Sequence, residues 1–451
     1  MTGSIVSRLS GWGRYPIEEC RVYRPEARRE AVELLARGPE RSFVPRGLGR
    51  SYGDAALNAG AGVLLSARLN RFLAFDPESG ILESEAGASL ASIVETFLPR
   101  GWFLPVTPGT RHVTVGGAIA ADVHGKNHHG AGTFSRFVPD LLLATSDGGV
   151  LSCSPEENAE AFWATVGGAG LTGLILSARI RLQKVETAWV LADFRRVGDL
   201  QEAMARLTET DPNYEYSVAW IDCLAPRRSR GRSLLLQANA ARAADLPRGI
   251  PLLPLPGPER FPAPVALPSF VLNTFSVSLF NAMYYRLHPT GERRLVDYGR
   301  YFYPLDSIRD WNRLYGRRGF VQYQVVFPLE SSQAGLSALL ERLSRSGYGC
   351  FLGVLKRFGQ AGPAPLSFPF PGYTLALDLP VRRVLVEFLR ETDQLLLDYG
   401  GRIYFAKDAT STAEGFARMY PRLEEFRRSR SKLDPNGRLS SSLGRRLRIV
   451  S

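Results

Sequence analysis

The stretch Ser42–Asp54, SFVPRGLGRSYGD, decides how the rest of the chain is read. Its apolar start, Ser42–Pro45, predicts a short strand, which breaks into a turn carrying Gly47, Gly49 and Gly53. The spacing is GxGxxxG, no long helix follows, and no acidic residue closes a strand about 20 residues on, so a nicotinamide-binding Rossmann unit is not expected. Closely spaced glycines serve another end: a backbone without Cβ atoms lets N–H groups approach a pyrophosphate. Two further clusters follow, at 109–117 within TPGTRHVTVGGAIAADVHGKNHHGAGTF (Thr107–Phe134) and at 167–173 within FWATVGGAGLTGLILSARIRL (Phe162–Leu182). Three such clusters in order predict one extended dinucleotide wrapped by three turns.

Working outward, Pro25–Arg37 predicts a helix with Pro at its first position and Val32, Leu34 and Leu35 on its apolar side. The DPESG turn (Asp76–Gly80) predicts a hairpin, and Ser89–Leu98 a helix behind a Ser cap. Leu141–Thr145 reads as a strand that turns at Asp147–Gly149 and returns through Val150–Leu151. Beyond Glu186 longer helices alternate with strands such as VQYQVVFPLE (Val321–Glu330) and YTLALDLP (Tyr373–Pro380), which predicts an antiparallel sheet covered by helices. Pro251–Pro268 is read as a loop, because Pro at that density denies both ladder and helix bonds. Gly401–Phe405 predicts a last strand before helices and a basic tail. The fold class is α+β.

Composition narrows the function classes. With 451 residues, 45% hydrophobic and 22% charged, the chain is neither disordered nor collagenous and has the length of two or three domains. Cys20, Cys153, Cys223 and Cys350 lie far apart, which disfavours a disulfide framework or zinc knuckle and predicts reduced structural thiols. The net charge of +12, crowded at Arg227, Arg228, Arg230, Arg232 and from Arg422 to Arg448, favours acidic partners such as phosphorylated ligands or anionic lipid. No nucleic-acid module accompanies it, so nucleic acid is not an expected partner. The N-terminus lacks the apolar core of a secretory leader, and Phe270–Tyr285 is short for a span and carries Asn273, Thr274 and Asn281. A cytoplasmic or peripheral membrane location is expected. Four of the five histidines, His112, His124, His128 and His129, crowd the second glycine cluster. Asp122 is the only nearby acid, so the cluster predicts a polar strip of His and Lys beside a cofactor, facing an anionic substrate, and no metal.

These three glycine-rich strings together resemble the FAD-binding domain of the vanillyl-alcohol-oxidase superfamily, also called PCMH-type. More narrowly, HGKNHH, VQYQ, FLGVLKRFG, APLSFPFPGY and IYFAKD resemble the decaprenylphosphoryl-β-D-ribose 2′-oxidase family, over nearly the whole chain. The resemblance implies an FAD-binding domain over 1–187, a substrate-binding domain over 188–401 and a return to the first over 402–451. It implies that Arg46, Gly47, Leu48, Gly49, Arg50, Ser51 and Tyr52 form the pyrophosphate turn. Thr110, Thr114, Gly117, Asn127, His128 and His129 would continue around the FAD, with Gly170 and Ile175 closing it. Many superfamily members attach FAD through a His where this chain has Arg50, so the FAD is expected to be non-covalent.

The implied reaction oxidises the ribose 2′-hydroxyl of a polyprenyl-phosphate-linked ribofuranose to the 2′-keto sugar, the first half of an epimerisation in cell-wall arabinan biosynthesis. A short-chain NAD(P)H-dependent reductase would act on the product. An aldonolactone or alditol oxidase and a non-catalytic flavin protein are the other readings. Oxidising an alcohol needs a group that takes or stabilises the hydroxyl proton as hydride leaves, and Lys407 in YFAKD is the candidate, with His124 and Tyr404 beside it. Gln322, Gln324, Lys356 and Phe358 would face the substrate, together with Lys407. In mycobacterial members the strand matching Gly372–Asp378 carries a Cys, captured by nitroaromatic inhibitors, where this chain has Ala376.

Overall fold

The computed structural model describes residues 3–257, 261–262, 274–288, 290–291, 293–350 and 352–450. It is a mixed helix and sheet structure built on three main sheets. The first runs Ile5–Ser10, Ile17–Tyr23, Gly62–Leu65, Phe43–Arg46, and its last two pairings are parallel. The second, Phe72–Asp76, Ile81–Glu85, Leu174–Arg181, Asp140–Ala144, Val150–Cys153, is antiparallel throughout. The predicted hairpin about Asp76–Gly80 joins its first two strands, and Ser89 caps the helix Leu90–Phe97 by accepting from the Ser92 N–H. The first glycine turn leaves the strand Phe43–Arg46 without a following helix.

The third sheet positions the chemistry. Its eight antiparallel strands run Arg294–Asp297, Trp189–Val197, Ser233–Ala240, Tyr216–Ile221, Gly353–Phe358, Gly372–Pro380, Phe320–Pro328, Arg402–Ile403. Side chains alternate across a strand. Val321, Tyr323, Val325 and Phe327 therefore join Leu355, Leu375, Leu377 and Leu379 in one core under the helices Leu200–Thr210, Ser332–Arg345 and Leu385–Asp398. Gln322 and Gln324 take the opposite face. Register pairs Gln322 with Asp378, Gln324 with Ala376, Val354 with Ala376 and Lys356 with Thr374, which gathers a polar set on that face.

Three sequence expectations shift. The first helix spans Arg28–Arg37, three residues later than Pro25, with Ala31 N–H to Ala27 carbonyl as its first bond. The strand expected over Gly401–Phe405 is only Arg402–Ile403, because Phe405–Lys407 coils into a 3₁₀ turn. Of the Pro-rich stretch 251–268, residues 251–257 are irregular and Phe261–Pro262 pairs in parallel with Ile308–Arg309; the rest lies outside the described residues. The four cysteines are buried and unpaired. No helix among the described residues is long and apolar enough to cross a membrane.

Candidate active site

All three glycine clusters open onto one cavity of about 710 Å³, within the range of small-molecule sites. Gly47, Leu48, Gly49, Arg50, Ser51 and Tyr52 line it from the first turn; Thr110, Thr114 and Gly117 from the second; Gly170 and Ile175 from the third. These walls are largely bare backbone. A Cβ on Gly47 would stand 2.3 Å from Thr114 Oγ1, and Gly49 and Gly170 hold φ of +66° and +74°. Among the described residues, no atom beyond Gly109 and its two chain neighbours lies within 4 Å of where a Cβ there would stand. A cradle of that kind fits an extended dinucleotide such as FAD.

The far wall comes from the third sheet and the turn that follows it. Lys407 Nζ donates to Gln322 Oε1, and Gln322 Nε2 donates to Asp378 Oδ1 at 2.6 Å. Tyr315 donates to the other Asp378 oxygen at 3.1 Å. The lysine also lies 5.1 Å from the Tyr52 ring and 5.9 Å from that of Tyr404. Burial pushes Lys407 down to about 8 against the opposing pull of Asp378, and burial raises Asp378 to about 6. Lys356 and Lys126 share the cavity and are each pushed down to about 7 by burial; for Lys356 the other two lysines add to it. Lys126 Nζ is held by the Tyr301 carbonyl and lies 4.2 Å from that residue's ring.

His124 is fixed by a chain of donors. Thr374 Oγ1 gives its proton to the Val325 carbonyl at 2.8 Å, so it accepts from Gln324 Nε2 at 3.1 Å. The second Gln324 N–H points at His124 Nε2, also at 3.1 Å, which leaves the histidine proton on Nδ1. That Nδ1 is buried and finds no partner among the described residues. Burial, then Lys356, His128 and Lys407, push His124 well below its ordinary range, so it is neutral. Tyr404 spends its hydroxyl on the Ala121 carbonyl at 2.5 Å and stacks on Phe368. It shapes the wall and offers no free proton.

Five expected site residues lie outside the cavity wall. Arg46 turns back to the carbonyls of Ser10 and Ala56 at 2.7 and 3.0 Å. Asn127 donates to the Pro105 carbonyl, His128 Nδ1 accepts from Gly359 N–H, and His129 Nε2 donates to the Tyr214 carbonyl. The HHG run therefore stitches the second glycine segment to the third sheet instead of lining the cavity. Phe358 packs beneath His124 and His128, at 4.8 and 4.5 Å between ring centroids. Asp378, Tyr315 and Thr374 were not expected. Lys126 was expected only as part of the strip of His and Lys, and a further signal pointed to it: the chain writes nearly all its cations as Arg and has five lysines, of which three, Lys126, Lys356 and Lys407, line this one cavity.

Much of the remaining wall is apolar. Val218, Trp220, Leu236, Phe280, Leu352 and Val354 carry the cavity away from the lysines, along the sheet and under the helix Thr274–Leu287.

Residues 21–154 match the model of an FAD binding domain, and residues 320–447 match that of D-arabinono-1,4-lactone oxidase. The chain is similar to the decaprenylphosphoryl-β-D-ribose oxidase of Mycolicibacterium smegmatis, 40% identical over 450 residues and 98% of both chains. The chain belongs to this family. An uncharacterized Streptomyces coelicolor protein is 36% identical over 80% of this chain and 99% of its own. The L-gulono-1,4-lactone dehydrogenase of Mycobacterium tuberculosis is 22% identical over 94% and 96%. The family member described here is an FAD-dependent oxidoreductase, and both matched regions meet at the cavity: the first supplies two glycine turns, the second Gln322, Lys356 and Lys407.

Proposed function

We propose that this enzyme oxidises the ribose 2′-hydroxyl of a polyprenylphosphoryl-β-D-ribofuranose to the ketone. One observation carries the reading: a single cavity joins three desolvated lysines to a long apolar wall. A phosphoryl group supplies the anion that such lysines attract, and a prenyl chain supplies apolar surface for Trp220, Leu236 and Phe280. A neutral aldonolactone or alditol offers neither. The keto product then suits a short-chain NAD(P)H-dependent reductase, which would complete the epimerisation.

FAD, when bound along Gly47–Tyr52, Thr110, Thr114, Gly117, Gly170 and Ile175, supplies the hydride acceptor. Lys407 Nζ takes the hydroxyl proton. With its pKa at about 8, roughly one lysine in ten is neutral at pH 7. Gln322 fixes the position of Nζ, and the Asp378 carboxylate behind it stabilises the ammonium that forms. His124, neutral and held through its Nε2 lone pair by Gln324, stands in the wall beside the sugar and positions it by shape, its Nδ1 proton being buried. Lys356 and Lys126 hold the phosphoryl group. The neutral fraction of Lys407 grows with pH, so the anaerobic flavin-reduction rate is expected to rise with pH and level off above about 8. A rate that falls through that range would assign Lys407 a cationic role and remove it as base.

The domain plan that supports this chemistry is an FAD-binding domain over 1–187 and 402–451 with the substrate domain, 188–401, inserted between. The first two sheets fall within 1–187, and all strands of the third except its edge, Arg402–Ile403, within the insertion. Arg50 stands stacked on Trp12 at 3.8 Å where a covalent His would be needed, so acid precipitation is expected to release all FAD into the supernatant. Flavin retained on the precipitated chain would contradict that.

Ala376 lines the cavity and none of the four cysteines does. Nitroaromatic compounds that the reduced enzyme activates should therefore form no adduct, since capture needs a thiolate. Ala376→Cys should restore capture with little loss of turnover. Intact mass after incubation with compound and substrate reads both outcomes, and an adduct on the unmutated chain would contradict the placement of Ala376.

A further inference from the structure

The helix Thr274–Leu287, TFSVSLFNAMYYRL, is apolar on opposite sides and carries no carboxylate. A helix at a protein surface ordinarily shows one apolar stripe towards the core and polar residues outward. Here the inner side is satisfied. Val277 and Asn281 are buried, and Asn281 Nδ2 pins the helix to the third sheet through Asp222 Oδ1 at 2.9 Å and the Cys350 carbonyl at 3.3 Å. Tyr284 rests on Trp220 at 4.8 Å and lines the cavity with Phe280.

The outer side is a second stripe. Phe275, Leu279, Met283 and Leu287 are 78, 53, 51 and 73% exposed, at a strict four-residue spacing that spans about 18 Å of helix. Single exposed apolar residues are ordinary; a row of four large ones marks an interaction surface. Phe280 is half exposed and also lines the cavity, so the outer stripe is continuous with the apolar wall. Exposed Arg196 and Arg286 flank the C-terminal end, where Arg196 donates to the Arg286 carbonyl at 3.3 Å.

We infer that this helix docks the enzyme on an anionic phospholipid bilayer, its outer stripe lying in the interface and Phe280 marking where a lipid tail passes into the cavity. The second half rests on the proposed lipid-linked substrate; the docking does not. Flanking arginines and an apolar stripe are the two halves of interfacial binding. A second copy of this chain is a poorer occupant. Antiparallel pairing about a two-fold axis would set the arginines against the partner's positive helix N-terminus, and parallel pairing would set them against each other.

The test is co-sedimentation of the FAD-loaded full chain with vesicles of phosphatidylcholine, with and without phosphatidylglycerol. Binding to the anionic vesicles is expected, weakened by salt, and at least ~10-fold weaker for the triple variant Phe275→Ser, Leu279→Ser, Leu287→Ser. None of the three lines the cavity, so the triple variant should oxidise a short farnesylphosphoryl ribose in solution at the unmutated rate. It should lose activity on long-chain substrate held in vesicles in proportion to its lost binding. Vesicle binding that is unchanged in the triple variant overturns the inference. So does a concentration-dependent dimer that the serines abolish while vesicles are ignored. Vesicle binding as expected, with no oxidation of either substrate, would leave the docking standing and remove the proposed function.

Discussion

Lys407→Met is expected to keep FAD bound and to slow flavin reduction by at least ~10²-fold, the size of a lost general base. Methionine keeps an unbranched stem through the buried turn Phe405–Lys407 while removing Nζ, so packing against Tyr52 and Tyr404 changes little. What is lost is the one amine that Gln322 and Asp378 hold in place. Two further readouts separate chemistry from structure. Flavin content should stay at one per chain, and the rise of the reduction rate towards pH 8 should flatten. A folded, flavin-loaded variant that reduces its flavin near-normally would remove Lys407 from the mechanism.

The second large effect lies behind the site. Arg446, in the C-terminal helix Ser442–Arg446, grips Asp54 with two nitrogens at 2.9 and 2.7 Å and Asp408 with a third at 2.9 Å. Asp54 ends the first glycine turn and Asp408 follows Lys407, so one guanidinium ties the cofactor cradle to the turn carrying the lysine. Gly53 shows how close they lie, since a Cβ there would stand 1.9 Å from the Asp408 carbonyl. Both carboxylates are nearly fully buried, and Asp393, raised to about 7 by burial and by Asp408, lies next to them. Arg446→Met strands the pair without a counter-charge and should cost about 3–5 kcal/mol. Urea unfolding followed by tryptophan emission reads the loss. Adding Asp54→Asn should recover part of it by removing one stranded charge. A single-variant loss below about 1 kcal/mol would show that the cluster has another counter-charge.

Much of this architecture was legible because it depends on backbone. The glycine clusters announced a dinucleotide cradle, since few side chains compete for that meaning, and their three turns do open onto one cavity. VQYQ announced a strand, and the structure then sets Gln322 and Gln324 on the face opposite Tyr323. Direction was harder. In HGKNHH the residue types suggest a ligand-facing strip, yet only His124, Gly125 and Lys126 face the cavity while the following residues bond across to Tyr214 and Gly359. Nothing local to the sequence fixes which way a short turn rotates its side chains. Asp378 was hidden differently. YTLALDLP reads as an apolar strand, and the lone acid gains meaning only once register sets it opposite Gln322. Arg446 depends on contacts across nearly the whole chain, with Asp54 at its other end, and no spacing rule spans that distance.

Oxidation at the ribose 2′ carbon is tested by following the hydrogen itself. Polyprenylphosphoryl ribose deuterated at C2′ should reduce the flavin more slowly than unlabelled substrate in anaerobic stopped flow, while deuterium at C3′ should have no effect. The product should lack the C2′ label. An isotope effect at another carbon, or flavin that stays oxidised with this substrate but bleaches with a free lactone, would contradict the account.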